Sequence, residues 1–377
     1  MYIFWFLLFT LAVIYGQGRM FKRLALRKLS YSRKFRQHTC FAGDEIELVE
    51  QLENRKSLPV PWLRVESQLP AQLQFRQGEN IEVSSGSLYQ NHRSFFSLGS
   101  YKRLTRTHSI KALKRGCYRL NSVTMTGGDL LGVFLNHTQF QLNDELVVYP
   151  RPADVPFHLL PSRSMQGEYT VKRFIVPDPF VVAGSREYQP GDSMKQINWK
   201  ASARTGGLQV HQYDYTAERN ILILLNVEDS ESMWRSVSNE PLIERGIEWA
   251  AGIANAAIVE GMAAGFAANM PIESGLDSAR IESSRGHEHM LLLLEVMAML
   301  QLSRTVAFKQ LLEHEASLGY SDRDIVILSA YWNDSLELAS ERLRAGGNSV
   351  TVWEIPSAKS DPEHAEASVK AREGMSA

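Results

Sequence analysis

Arg186, Asp192, Lys200 and Arg204 fall within one short stretch, REYQPGDSMKQINWKASAR, and are the charged residues best spaced to act together. Side chains of these types, this close, make charge-assisted hydrogen bonds inside a compact loop. Pro190, Gly191 and Asp192 form a tight-turn tripeptide, with proline fixing φ and glycine permitting a positive φ. Trp199 is expected to anchor a short helix from about Ser193 to Ala203 by burying its ring. The chemistry on offer is therefore recognition. Either the charges pair with one another, the reading preferred here, or Arg186, Asp192, Trp199 and Arg204 form a binding surface for a partner or an anion.

Other constellations are weaker. His287 and His289 are two apart, which on a helix points the rings roughly 200° from each other and so misses the i, i+4 geometry of a zinc pair. Cys40 and Cys117 are far apart and in no metal-like spacing, and read as reduced, buried thiols. No Walker A loop, dinucleotide-binding glycine fingerprint, G-x-S-x-G elbow or C-x-x-C occurs. No cofactor is called for, and the chain is expected not to be an enzyme. With 41 basic against 42 acidic residues the formal net charge is -1, which argues against a nucleic-acid partner.

The elements that must position these residues fall into successive segments. Tyr2 to Tyr15 form an uncharged apolar run that stretches to Gly18. At about 1.5 Å per residue it reaches roughly 21–26 Å, slightly short of a bilayer core of about 30 Å. Residues 2–18 are read as a transmembrane anchor and 19–36 as a basic juxtamembrane segment. Arg19, Lys22, Arg23, Arg27, Lys28, Arg33, Lys34 and Arg36 all follow the run, so the positive-inside rule places the body in the cytoplasm, with a single pass through the cell membrane. Residues 37–152 carry short stretches rich in β-branched residues between turn signals such as Gly127, Gly128 and Asp129, and predict a β-sandwich-like domain. Residues 153–219 lack strong periodicity and contain the charged stretch. From Asn220 to about residue 356, apolar runs alternate with amphipathic helices, which predicts a doubly wound α/β domain. Residues 357–377 are polar and read as a disordered tail.

Two further pieces accompany the charged stretch: KRGCYRLNSVTMTGGDLLGVF, residues 114–134, and Val148–Tyr149–Pro150. Arg186 through Asp192 with Tyr188, then Ile197, Asn198, Trp199 and Lys200, then Ala203 and Arg204, resemble the signature of the domain of unknown function 58 family, and the upstream pieces are similar to that family in the same order. The resemblance implies a bacterial membrane-tethered protein with a C-terminal half similar to von Willebrand factor A domains, working with a MoxR-type AAA+ ATPase. Many relatives carry two adjacent membrane helices, whereas this sequence shows one apolar run.

Von Willebrand A-like domains hold Mg²⁺ after their first strand with D-x-S-x-S. The nearest match here is Glu228, Ser230 and Ser232, with Ser329, Asn333 and Asp334 candidates by position. Glutamate is one methylene longer than aspartate, and Mg²⁺ tolerates little error in its octahedron, so the loop is read as a degenerate metal site. The expected function is a cytoplasmic-facing scaffold or adaptor. The alternatives are a metal-assisted hydrolase using Glu228 and a structural component of an envelope complex.

Overall fold

The computed structural model describes residues 2–75, 81–85, 89–129, 132–133, 135–155, 182–190, 192–213, 220–273, 275 and 277–355. The expected tail, 357–377, lies outside them, as does Gly191. The apolar run forms helix α1, Tyr2–Leu24, which is long and apolar enough to cross a membrane. It outruns the expected span of 2–18 because the β-rich half holds its last turns. Gln17 Nε2 donates to Asp129 Oδ2 at 3.1 Å, and Asn136 Nδ2 donates to the Lys22 carbonyl at 3.0 Å. Gly127 permits this approach: a Cβ there would lie 3.1 Å from Leu26 Cδ2 and 3.2 Å from Leu63 Cδ1. The TGGD stretch thus serves close packing as well as a turn.

Residues 19–36 are not a separate juxtamembrane segment. They finish α1 and then form strand β1, Leu29–Phe35, in which Leu29, Tyr31, Arg33 and Phe35 all face inward. Basic residues in LSYSRKF hide a period of two that burial reveals. The strands that follow are β2 (Thr39–Phe41), β3 (Glu45–Asn54), β4 (Val60–Pro70), β5 (Leu73–Phe75), β6 (Ile81–Ser85), β7 (Tyr89–Leu98), β8 (Arg103–Ala112), β9 (Gly116–Gly128) and β10 (Leu135–Tyr149). They make a four-stranded sheet, β1-β3-β8-β5, and a six-stranded sheet, β2-β10-β9-β4-β7-β6. One core lies between them, with Leu48, Leu52 and Ile110 from the first sheet and Leu63, Val65, Val123, Met125 and Leu146 from the second.

That core also holds charge. Tyr31 Oη donates to Glu50 Oε1 at 2.5 Å, and His108 Nε2 lies 3.2 Å from Glu50 Oε2. Arg33 donates to Ser67 Oγ and lies 3.5 Å from His92 Nδ1, whose ring stacks on Phe75. Burial alone would raise the Glu50 carboxyl, but bonding from His108 and Tyr31 and the nearby Arg33 charge outweigh it and hold the group below its ordinary range. Burial, aided by Arg33, pushes the His92 imidazole down to about 3 and keeps it neutral.

Residues 182–213 form a small lobe of strand β11 (Val182–Glu187), helix α2 (Trp199–Thr205) and strand β12 (Gln209–Tyr213), with β11 and β12 antiparallel. The α/β half follows: β13 (Asn220–Leu225), α3 (Glu240–Val259), β14 (Ala263–Pro271), β15 (Ser278–Ser284), α4 (His287–Met299), α5 (Phe308–Ser317), β16 (Asp324–Ser329), α6 (Asp334–Ala345) and β17 (Ser349–Glu354). Their sheet runs β15-β14-β13-β16-β17, parallel apart from β15. Helices α3 and α4 cover one face through Ile247, Ala254, Leu293 and Met297, while α5 and α6 cover the other through Phe308, Leu312, Leu336 and Leu343. Strand β15 and helix α5 escape the sequence reading. SARIESS is a polar edge strand, and FKQLLEHEAS has too few apolar residues to stand out beside the buried helices.

The two halves share packing. Tyr149 at the end of β10 belongs to the α/β core, with Phe41 and Val147 against it. The connecting chain crosses α3 at Gly252, where a Cβ would meet the Ala153 carbonyl oxygen at 2.2 Å. Only glycine admits that crossing.

Candidate functional site

In an open α/β sheet, ligands sit beyond the carboxyl ends of the strands, where the strand order switches direction. Here the switch lies at β13, which has β14 on one side and β16 on the other. Glu228 follows β13, and Ser329 and Tyr331 end or follow β16. The loops are tied together side chain to side chain. Asn226 Nδ2 donates to Ser329 Oγ at 3.0 Å, Tyr331 Oη donates to Glu228 Oε2 at 2.7 Å, and Asn333 Nδ2 donates to Glu231 Oε1 at 3.0 Å.

Glu228 is buried and both of its carboxylate oxygens are committed. Oε1 accepts from Arg304 Nη1 at 3.1 Å and from the Phe308 amide at 3.1 Å, the first residue of α5. A carboxylate against the free amides of a helix start is stabilised by the helix dipole, and here a guanidinium shares it. Burial and the bond to Glu228 push the Tyr331 phenol well above its ordinary range, so it stays protonated and donates.

This arrangement gives a physical reason for reading the Glu228, Ser230 and Ser232 loop as a degenerate metal site. The extra methylene of glutamate carries the carboxylate to Arg304 and the α5 amide, and the guanidinium supplies the positive charge that an ion would bring. Ser230 Oγ donates to Asp229 Oδ1 at 3.3 Å, and Ser232 is exposed on the loop. Asp229 serves the loop itself, accepting from the Ser238 and Asn239 amides. Ser329 is spent on Asn226 and the Tyr331 carbonyl, Asn333 caps α6, and Asp334 is exposed. Among the described residues, no group of three or more His, Cys, Asp or Glu is placed to hold a metal ion. His289 Nε2 donates to the Ala264 carbonyl at 2.7 Å, while His287 is exposed.

What the sequence reading missed at this rim is aromatic. Trp234, six residues beyond Glu228, is 82% exposed, and Tyr331 and Trp332 are half-buried on the facing loop. A tryptophan in a polar Ser-rich loop is the signal that could have found it.

The lobe at 182–213 divides the charged stretch in two. Arg186 and Asp192 form a bidentate pair, 2.7 Å in each arm, and Asp192 also accepts from the Gln189 amide at 2.9 Å. Those bonds, the arginine first, pull the Asp192 carboxyl down to about 2. Pro190 and the half-buried Tyr188 flank this turn, and the Tyr188 amide donates to the Leu208 carbonyl. Lys200 and Arg204 are exposed and join no ion pair among the described residues. Trp199 is 66% exposed, which corrects its expected role as a buried anchor. Ile197 and Val210, buried and joined by an isolated antiparallel bridge, fill that role, and Asn198 caps α2 immediately before Trp199.

The fold and the rim define a mixed α/β protein with an apolar N-terminal helix, a β-rich domain and a closed polar cluster at the sheet's switch point. The family model described as protein of unknown function DUF58 matches residues 184–337. The chain is similar to the uncharacterized protein YeaD of Bacillus subtilis, with 24% identity over 238 residues, covering 63% of this chain and 57% of that protein. Among solved structures, a non-cellulosomal cohesin from Archaeoglobus fulgidus matches 32% of this chain and 91% of its own, with 12% identity and a TM-score of 0.23. Part of an Escherichia coli alpha-2-macroglobulin matches 32% of this chain and 23% of its own, with 15% identity and a TM-score of 0.24. Scores this low carry no weight for fold or function.

Proposed function

We propose that the chain is a membrane-anchored scaffold or adaptor, its body in the cytoplasm, whose α/β rim docks a protein partner. The partner implied by the family resemblance is a MoxR-type AAA+ ATPase. The observation that carries the reading is the contrast at the rim: Trp234 stands 82% exposed beside a Glu228 whose oxygens are already bonded. Tryptophan is enriched among the residues that carry interface binding energy, whereas a carboxylate already accepting three hydrogen bonds is poorly placed to act as base or ligand. The polar loop directly after the first strand of a doubly wound sheet supports the von Willebrand A-like description of this half. The basic residues that follow the apolar part of α1 support the cytoplasmic orientation. The metal-assisted hydrolase has less support, since Glu228 would first have to release Arg304, Tyr331 and the α5 amide.

The test is a mild-detergent pull-down of the full chain with Mg²⁺ and ATP, read by mass spectrometry. Retention of an AAA+ ATPase that Trp234→Ala abolishes supports the adaptor. Bait alone under every condition sinks it.

A further inference from the structure

Arg115 lies in the turn before β9, in the β-rich half, yet its side chain is only 5% exposed. Its guanidinium reaches into the α/β half. Nε and Nη2 donate to the two carboxylate oxygens of Glu244 on α3 at 2.7 and 3.2 Å. Nη1 faces three carbonyl oxygens at the end of α4: Met297 at 2.9 Å, Ala298 at 3.1 Å and Leu300 at 2.9 Å. The last carbonyls of a helix have no partners within it and carry the negative end of its dipole, so a buried guanidinium there both bonds and neutralises them. Helix α4 is capped from another domain.

The chain leaving that cap goes straight to the rim. The Gln301 amide donates to the Pro271 carbonyl at 2.9 Å, Arg304 to Arg235 at 3.0 Å and Thr305 to Asn269 at 3.1 Å, so the strap crosses the carboxyl end of the sheet. Arg304 then pairs with Glu228, and Phe308 donates its amide to the same oxygen. Arg235, whose carbonyl holds Arg304, neighbours Trp234. Leu300, the last residue whose carbonyl Arg115 holds, precedes Arg304 by four residues and Phe308 by eight.

We propose that the β-rich half sets the shape of the rim through Arg115, a positioning residue that holds the strap from Leu300 to Phe308, so that a change in how the two halves meet alters the Glu228–Trp234 loop. This rests on the rim being the functional surface, but its test needs no partner and can fail separately from the docking reading.

The experiment is hydrogen exchange by mass spectrometry on the full chain in detergent, comparing wild type with Arg115→Ala. Hydrogen bonds to a charged group are worth enough that their loss should speed exchange about tenfold in peptides covering residues 299–309. The same acceleration is expected in the Glu228–Trp234 loop, while sandwich peptides around Leu48 and Val65 stay unchanged. Acceleration confined to the end of α4, or none at all, overturns the proposal, and so does a rise that spreads through the sandwich core. Should Arg115→Ala fail to fold, Arg115→Lys keeps the charge, loses the fork to Glu244, and is read by the same three outcomes. A variant that leaves the Glu228–Trp234 loop protected would make Arg115 an interface brace only.

Discussion

The protein builds nearly the same constellation twice. In the middle of the β-sandwich, Glu50 takes a tyrosine hydroxyl from Tyr31 and faces His108 with Arg33 nearby. At the carboxyl end of the α/β sheet, Glu228 takes a tyrosine hydroxyl from Tyr331 and pairs with Arg304. The first is sealed: Glu50 is 1% exposed, in the core between two sheets. The second lies beside the loops that carry Trp234 and Trp332, and its guanidinium is a quarter exposed. Residue types alone do not separate a structural cluster from a functional one. Location on the fold is what distinguishes the two here, since the carboxyl end of a doubly wound sheet is where ligands reach such folds and the interior of a sandwich is closed.

Breaking the sealed cluster should cost most. Glu50→Ala leaves Arg33 buried without its counter-charge and Tyr31 without its acceptor, and losses of about 3–5 kcal/mol are usual for such a change. Urea unfolding of the full chain in detergent measures it, and a loss below about 1 kcal/mol would mean that the Arg33 charge is not stranded there. Glu228→Ala should cost less, about 1–3 kcal/mol, because Arg304 reaches water when released. In a double-mutant cycle with Arg304→Met the two losses should be non-additive by about 1 kcal/mol, and additivity would show that the pair is not coupled.

How much of this was legible in the sequence follows the same division. The apolar helix, the strand-rich half and NILILLN as a buried parallel strand are periodicity signals, and burial follows them. Strand β1 was hidden because Arg33 is an inward-facing charge, and inward charges are rare enough that alternation rules read them as surface. At the rim, Glu228 is legible in the sequence as the head of a degenerate metal loop, but its partners are not. Its true partner, Arg304, is far away in sequence on a strap with no periodicity, and no spacing rule connects them. Arg186 and Asp192 are six apart, and there the sequence was enough. Trp199 was misread because a large ring suggests burial, while the Asn198 cap immediately before it is visible only in the backbone.

A smaller effect separates the clusters by pH. His92 sits at about 3 in the fold, below the ordinary value of about 6.5, so the unfolded chain binds the extra proton first. The stabilisation from keeping it neutral is complete above about pH 6.5 and drains away as the pH falls towards 3, at no more than about 1.4 kcal/mol per unit. The midpoint of sandwich unfolding should therefore fall between pH 6.5 and 5, and His92→Gln should flatten that slope. A slope that survives the substitution assigns the acid sensitivity to another group. Glu228 bonds to Arg304, Tyr331 and the Phe308 amide, none of them a histidine, so the rim should change less over that interval.

The smallest expected change in stability is at the outer lobe, and it is the sharpest check on the idea that location decides role. Trp199 and Lys200 are exposed, and Lys200 joins no ion pair among the described residues. Replacing exposed residues that hold nothing usually shifts stability by no more than about 0.5 kcal/mol. Trp199→Ala and Lys200→Ala should accordingly leave the unfolding curve of the full chain where it was. Asp192→Ala in the same lobe removes a bidentate partner from Arg186 and an acceptor from the Gln189 amide, so it should loosen residues 186–192 in hydrogen exchange without moving the global midpoint. If Trp199→Ala proved as costly as Glu228→Ala, the ring would have to be covered by another part of the chain. The lobe would then be a packing element, and the distinction between exposed residues and enclosed structural ones would fail at its clearest example.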